Sequence, residues 1–83
     1  MLNAIRIGDS LERGGEVVEG SNKMTIGGRC VARKGDAVKC NVHPDVIQNV
    51  ILEGDSKICD AGSPIARHGH HAKCGCALIS SLG

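Results

Sequence analysis

Eighty-three residues with ten Lys and Arg against nine Asp and Glu make one small domain with almost no net charge, which excludes the basic footprint of a nucleic-acid binder. With no Phe, Tyr or Trp and with twelve glycines, the chain lacks stacking platforms for single strands, and its thin core of Val, Ile, Leu, Met and Ala needs a staple. Residues 1–6 hold no signal-peptide stretch and no run nears a membrane-spanning length, so the expected starting point is a reducing cytoplasm, where five Cys and four His are read as metal ligands or free thiols rather than disulfides.

Short apolar, β-branched runs bounded by Gly or Asp predict strands at residues 16–19, 23–26, 29–33, 46–52, 65–67 and 77–79. Gly27-Gly28 predicts a tight hairpin turn, with Asp60-Ala61-Gly62 as its counterpart later in the chain. Pro44-Asp45 predicts a turn just before residues 46–52 (Val-Ile-Gln-Asn-Val-Ile-Leu), which read as the best strand of all. No amphipathic helix of useful length is expected, nor a flexible linker. The chain is read as a single domain over residues 1–83, without an extension domain.

The sequence also repeats itself. At an offset of 34, Glu19, Gly20, Lys23, Gly28, Ala32, Arg33, Gly35, Lys39 and Cys40 fall on Glu53, Gly54, Lys57, Gly62, Ala66, Arg67, Gly69, Lys73 and Cys74. A weaker copy opens the chain, where Arg6, Gly8 and Asp9 match Arg33, Gly35 and Asp36 at an offset of 27. Three arms result, written A-I-R-I-G-D, V-A-R-K-G-D and I-A-R-H-G-H. Units this short cannot each bury an apolar face and must pack on one another. The expected fold class is therefore all-β, with three arms about an approximate threefold axis.

Arg13, Cys40 and Cys74 are equivalent by the repeat and should converge near the axis. His43 follows Cys40 at C-x-x-H spacing, and His70 and His71 precede Cys74. Thiols and imidazoles in this pattern point to one tetrahedral zinc built from two Cys and two His on two loops. Such a site contributes on the order of 10 kcal/mol to folding, enough to offset a weak core. The competing reading makes Cys40 and Cys74 small buried residues and the histidines solvated. Cys30 and Cys59 are expected as buried strand residues; Cys76, sharing a strand face with Cys74, is expected to pack, with a substitute ligand as its other role. His68 is read as a solvated loop residue. Arg6, Arg33 and Arg67 either pair with Asp9 and Asp36, or line the base of the molecule, or, the reading favoured narrowly, lie on a solvated strand face. A chain so small and glycine-rich leaves little room for a substrate pocket, and Glu12 and Asp45 are ordinary loop acids, so no enzymatic activity is expected.

In Val31-Ala32-Arg33-Lys34-Gly35-Asp36, Ser63-Pro64-Ile65-Ala66-Arg67-His68-Gly69, Gly14-Gly15, Glu19-Gly20-Ser21 and Cys74-Gly75-Cys76-Ala77-Leu78-Ile79, the chain resembles the PAAR-repeat proteins over nearly its whole length. The resemblance implies a small conical tip with Zn2+ held by His and Cys near the point. It implies a seat on the trimeric β-helical spike of a type VI secretion system or of a related contractile phage tail. The family often has a histidine ligand immediately before the Gly-Gly pair; here that residue is Arg13, whose guanidinium stays protonated and cannot coordinate metal. His70, standing where the third aspartate would be, is inferred to replace it, with His71 as substitute. The expected ligands are then Cys40, His43, His70 and Cys74.

The function so implied is mechanical: one monomeric chain caps a trimeric VgrG-like spike protein, sharpens it, and pierces rather than stably binds a target membrane. The chain would assemble in the cytoplasm and leave with the spike. Anchors to the partner are expected among Met1, Leu2, Ile5, Val17 and Leu78. The alternatives are a cytoplasmic zinc-binding interaction module and a thiol-based redox or hydrolytic enzyme.

Overall fold

The computed structural model describes residues 3–82. Eight short strands are joined by turns, and among the described residues there is no helix. Strands β1 (Ser10–Leu11), β2 (Gly15–Val17), β5 (Val38–Cys40) and β8 (Leu78–Ile79) form an antiparallel sheet in the order β5-β2-β1-β8. Two hairpins stand apart from it. In the first, β3 (Thr25–Ile26) pairs with β4 (Arg29–Cys30) across Gly27-Gly28; in the second, β6 (Asp55–Asp60) pairs with β7 (Ser63–Ile65) across Ala61-Gly62. Both predicted turns are therefore present.

Main-chain hydrogen bonds tie the three arms together in a closed cycle. The N–H of Ile5 donates to Ala66 O at 3.0 Å, that of Ala66 to Ala32 O at 3.0 Å, and that of Ala32 to Ile5 O at 2.7 Å. Two of the three members are alanine, and all three are fully buried, because strands converging on an axis leave no volume for three large side chains.

Each arm then makes the same four-residue turn. Asp9 N–H donates to Arg6 O, Asp36 N–H to Arg33 O and His70 N–H to Arg67 O, at 3.0, 3.0 and 3.1 Å. Gly8, Gly35 and Gly69 occupy the third position with φ of 92°, 92° and 89°, a conformation that glycine adopts without strain. Their amides bond to the returning chain at Val17 O, Ile51 O and Leu78 O.

This arithmetic of arms sets the core. Ile5, Ala32 and Ala66 form one layer; Val17, Ile51 and Leu78 a second; Leu11, Val38 and Ala72 a third, with Cys40 and Cys76 in the same cluster. A separate cluster holds Ala4, Val31 and Ile65, the residues preceding the ring, against Met24, Ile26, Ile58 and Leu82 of the hairpins and the C-terminal segment.

Several expectations are corrected here. Residues 46–52 are turns rather than a strand: only Val50 and Ile51 make bridges, to Ala37 and Ala72, while Gln48 has φ of 52° and Ile47 is 80% exposed. Ile5, Val17 and Leu78 are interior layer residues rather than surface anchors, because threefold packing consumes them; Met1 and Leu2 lie outside the described residues. Cys30 is only half-buried and Cys59 is exposed. The arginines are paired, not free: Arg33 reaches Asp36 at 3.1 Å and Asp60 at 3.4 Å, Arg67 reaches Asp55 at 3.0 Å, and buried Arg6 donates to Ile26 O and Ser81 Oγ.

Candidate metal centre

The site sits where the second and third arms reverse direction. Cys40 ends β5 and is buried. The second arm then runs a longer loop, residues 41–49, before returning at Ile51, and this excursion carries His43 back over Cys40. In the third arm, Gly75 N–H closes a turn onto Ala72 O at 2.9 Å with φ of 95° at Gly75, so the chain reverses between Cys74 and Cys76. The first arm makes the same turn, Gly14 N–H to Leu11 O, but places Arg13 where the third arm has Cys74.

Cys40 Sγ lies 3.3 Å from His43 Nδ1 and 3.6 Å from Cys76 Sγ, and Cys76 Sγ lies 3.6 Å from the same nitrogen. With Cys74 Sγ, these four atoms are all within 4.8 Å of one another. Zinc bound tetrahedrally by thiolates at 2.3 Å and imidazole at 2.0–2.1 Å spans edges of roughly 3.5–3.8 Å, and the three separations among Cys40, His43 and Cys76 lie close to those edges.

Three of the four residues expected from sequence are thus brought together: Cys40, His43 and Cys74. His70 is not with them; Cys76 completes the group. The reason is visible in the arm turns. Asp9 and Asp36 carboxylates accept the N–H of Arg6 and Arg33, each at 2.8 Å, and His70 Nδ1 accepts the N–H of Arg67 at 3.0 Å. His70 therefore does the work of an aspartate and keeps its ring in the turn. His71, the expected substitute, is exposed and pairs with Glu53 at 2.8 Å, holding that carboxyl below its ordinary range. His68 Nδ1 accepts the N–H of Ser80 at 3.0 Å. The signal for Cys76 was the glycine between it and Cys74: a positive-φ residue puts the two thiols on one site by a turn, where a strand reading sends both to a packed face.

Electrostatics agree with a cation. Burial, and then the neighbouring Cys40 and Cys74, push the Cys76 thiol up to about 12. Burial works against ionising Cys74, yet its thiol lies below the ordinary value because the nearby Cys76 main-chain N–H and Asn49 amide favour the charged form. Buried thiols crowded this closely ionise together only when a cation takes the charge. One polar atom is orphaned beside them: Asn49 Nδ2 is buried without an acceptor. A thiolate held on a metal would supply one, so the residues present fit the ion.

A family model described as the PAAR motif matches residues 7–80. The chain belongs to the PAAR-motif family. No curated protein matches the chain. The match covers all three arm turns from Gly8 onward and every residue of the Cys/His group. PAAR-motif proteins are structural components that sit on VgrG-type spikes, and membership supports a spike-tip role for this chain in that general sense.

Proposed function

We propose that this protein is the metal-stapled tip of a type VI secretion spike, seated one chain per trimer on a VgrG-like protein and driven with it through a target envelope. The observation that carries this reading is the closed cycle through Ile5, Ala32 and Ala66: it makes a single chain approximately threefold, and so able to meet three identical subunits at once. Zn2+ at Cys40, His43, Cys74 and Cys76 would cross-link the second and third arms at the end where the core runs out of side chains. The chain's own residues do the rest. Cys40 fixes the site to β5, His43 closes the long loop over it, and Lys73 Nζ ties that loop down through Ile47 O at 3.1 Å.

The partner face is assigned to the separate cluster, where Met24, Ile26, Ile58 and Leu82 remain only partly buried. No reaction is catalysed; the work is mechanical, from assembly in the cytoplasm to delivery with the spike. The experiment is co-purification of the zinc-loaded chain with a purified cognate spike trimer, read by native mass. One chain per trimer is the expected result, abolished by Met24→Asp together with Ile58→Asp. A chain that stays monomeric beside folded trimers overturns the reading in favour of an independent zinc module.

A further inference from the structure

Asn49 is an unusual residue to find beside three thiols. It is 7% exposed, belongs to the long loop of the second arm, and has its carbonyl fixed by Val38 N–H at 2.9 Å. Its Oδ1 accepts the backbone N–H of Cys74, in the third arm, at 3.2 Å. Its Nδ2 has no acceptor in the protein. An unsatisfied buried amide of this kind costs about 1–3 kcal/mol unless something else satisfies it.

Three thiolates and one neutral imidazole around a divalent ion leave a net negative charge in a buried place. Such charge needs N–H donors aimed at the sulfurs. We infer that Asn49 is a positioning residue for the metal centre: Oδ1 holds the Cys74 main chain, and Nδ2 donates to the Cys74 thiolate once the ion is bound. The inference rests on the metal reading above. It adds that the second arm grips the third through an amide as well as through the ion.

The two halves of the amide can be separated by substitution. Asn49→Asp keeps an oxygen for Cys74 N–H but sets a carboxylate oxygen against the thiolate in place of the donor. Asn49→Ala removes both. Co2+ added to metal-free protein reports through its thiolate-to-cobalt charge-transfer band, and Zn2+ competition gives the affinity. Both variants are expected to bind zinc about 10–100-fold more weakly than the parent, Asn49→Asp at least as weakly as Asn49→Ala. The charge-transfer band should move to lower energy when the N–H donor is lost. A role confined to holding the backbone would instead leave Asn49→Asp with parental affinity and an unmoved band, and that result overturns the inference. A parent protein that binds no Co2+ refutes the metal centre itself, a separate outcome.

Discussion

Metal removal is the perturbation whose size the structure allows to be worked out. Cys40 and Cys76 are 36 residues apart in sequence, and an ion holding both closes a loop of that length. Cross-linking such a loop removes about 4 kcal/mol of unfolded-state entropy, before any strength of the metal–ligand bonds is counted. Apparent binding free energies for structural zinc run to about 10–16 kcal/mol at neutral pH, which sets the upper end. A chain of 83 residues has a total stability of only about 4–12 kcal/mol. Even the lower figure is therefore a large fraction of the whole. At about 4–8 °C per kcal/mol for a domain of this size, it corresponds to a fall in Tm of about 15–30 °C.

The assay is a calorimetric or circular-dichroism melt of the zinc-loaded protein, the chelated protein and Cys40→Ser, with metal content measured on each. Cys59→Ser is the control, because Cys59 is exposed and outside the group; it should melt with the parent and keep its metal. If the protein as purified holds no metal and the chelated sample melts within a few degrees of the loaded one, the staple argument is wrong.

Two further outcomes follow from the arm geometry. Gly15 pairs with Cys40 at φ of 129°, and a Cβ there collides with the Lys39 carbonyl, so Gly15→Ala should cost about 2–4 kcal/mol in urea denaturation. Gly28→Ala, with a positive φ but open space around it, should cost only about 1–2 kcal/mol. His70 shares its surroundings with Asp55, Arg67 and His68, with Glu53 nearby. Its Nδ1 accepts the Arg67 N–H as the Asp9 and Asp36 carboxylates accept those of Arg6 and Arg33. His70→Asp keeps an acceptor there and should leave stability in urea denaturation little changed, whereas His70→Ala removes it and should cost about 1–2 kcal/mol; an alanine variant as stable as the parent would contradict this.

Much of the architecture was legible because the arms are written with the same residues for the same reasons. The Gly-Asp pairs mark turns that need a positive φ and a carboxylate cap, and both appear at Gly8-Asp9 and Gly35-Asp36. Cys40 and Cys74 were found through repeat equivalence, and they do meet. What misled was local chemistry taken without its partner. Residues 46–52 have strand composition, yet the excursion that carries His43 leaves them little to pair with. Ile5, Val17 and Leu78 look like anchors only while the layers that bury them are unknown. His70 stands as the replacement for the ligand missing at Arg13 only on residue type; its position in the repeat belongs to a turn cap. Strand alternation from Cys74 makes Cys76 a packing residue first and a substitute ligand second, whereas Gly75 turns the chain there.

The cycle joining Ile5, Ala32 and Ala66 also governs the order in which the molecule can be made. Residues near the start wait for residues near the end: Ser80 Oγ donates to Ala4 O at 2.8 Å and Arg6 bonds to Ser81, contacts 76 and 75 positions apart, while Ser10 pairs with Ile79. During synthesis the first arm has no closed ring until Ala66 is made and no sheet neighbour on the β8 side until Leu78–Ile79 is made. Folding is therefore dominated by distant contacts and slow for so short a polypeptide. Clipping even the final few residues described would unseat the opening arm as well as the closing one.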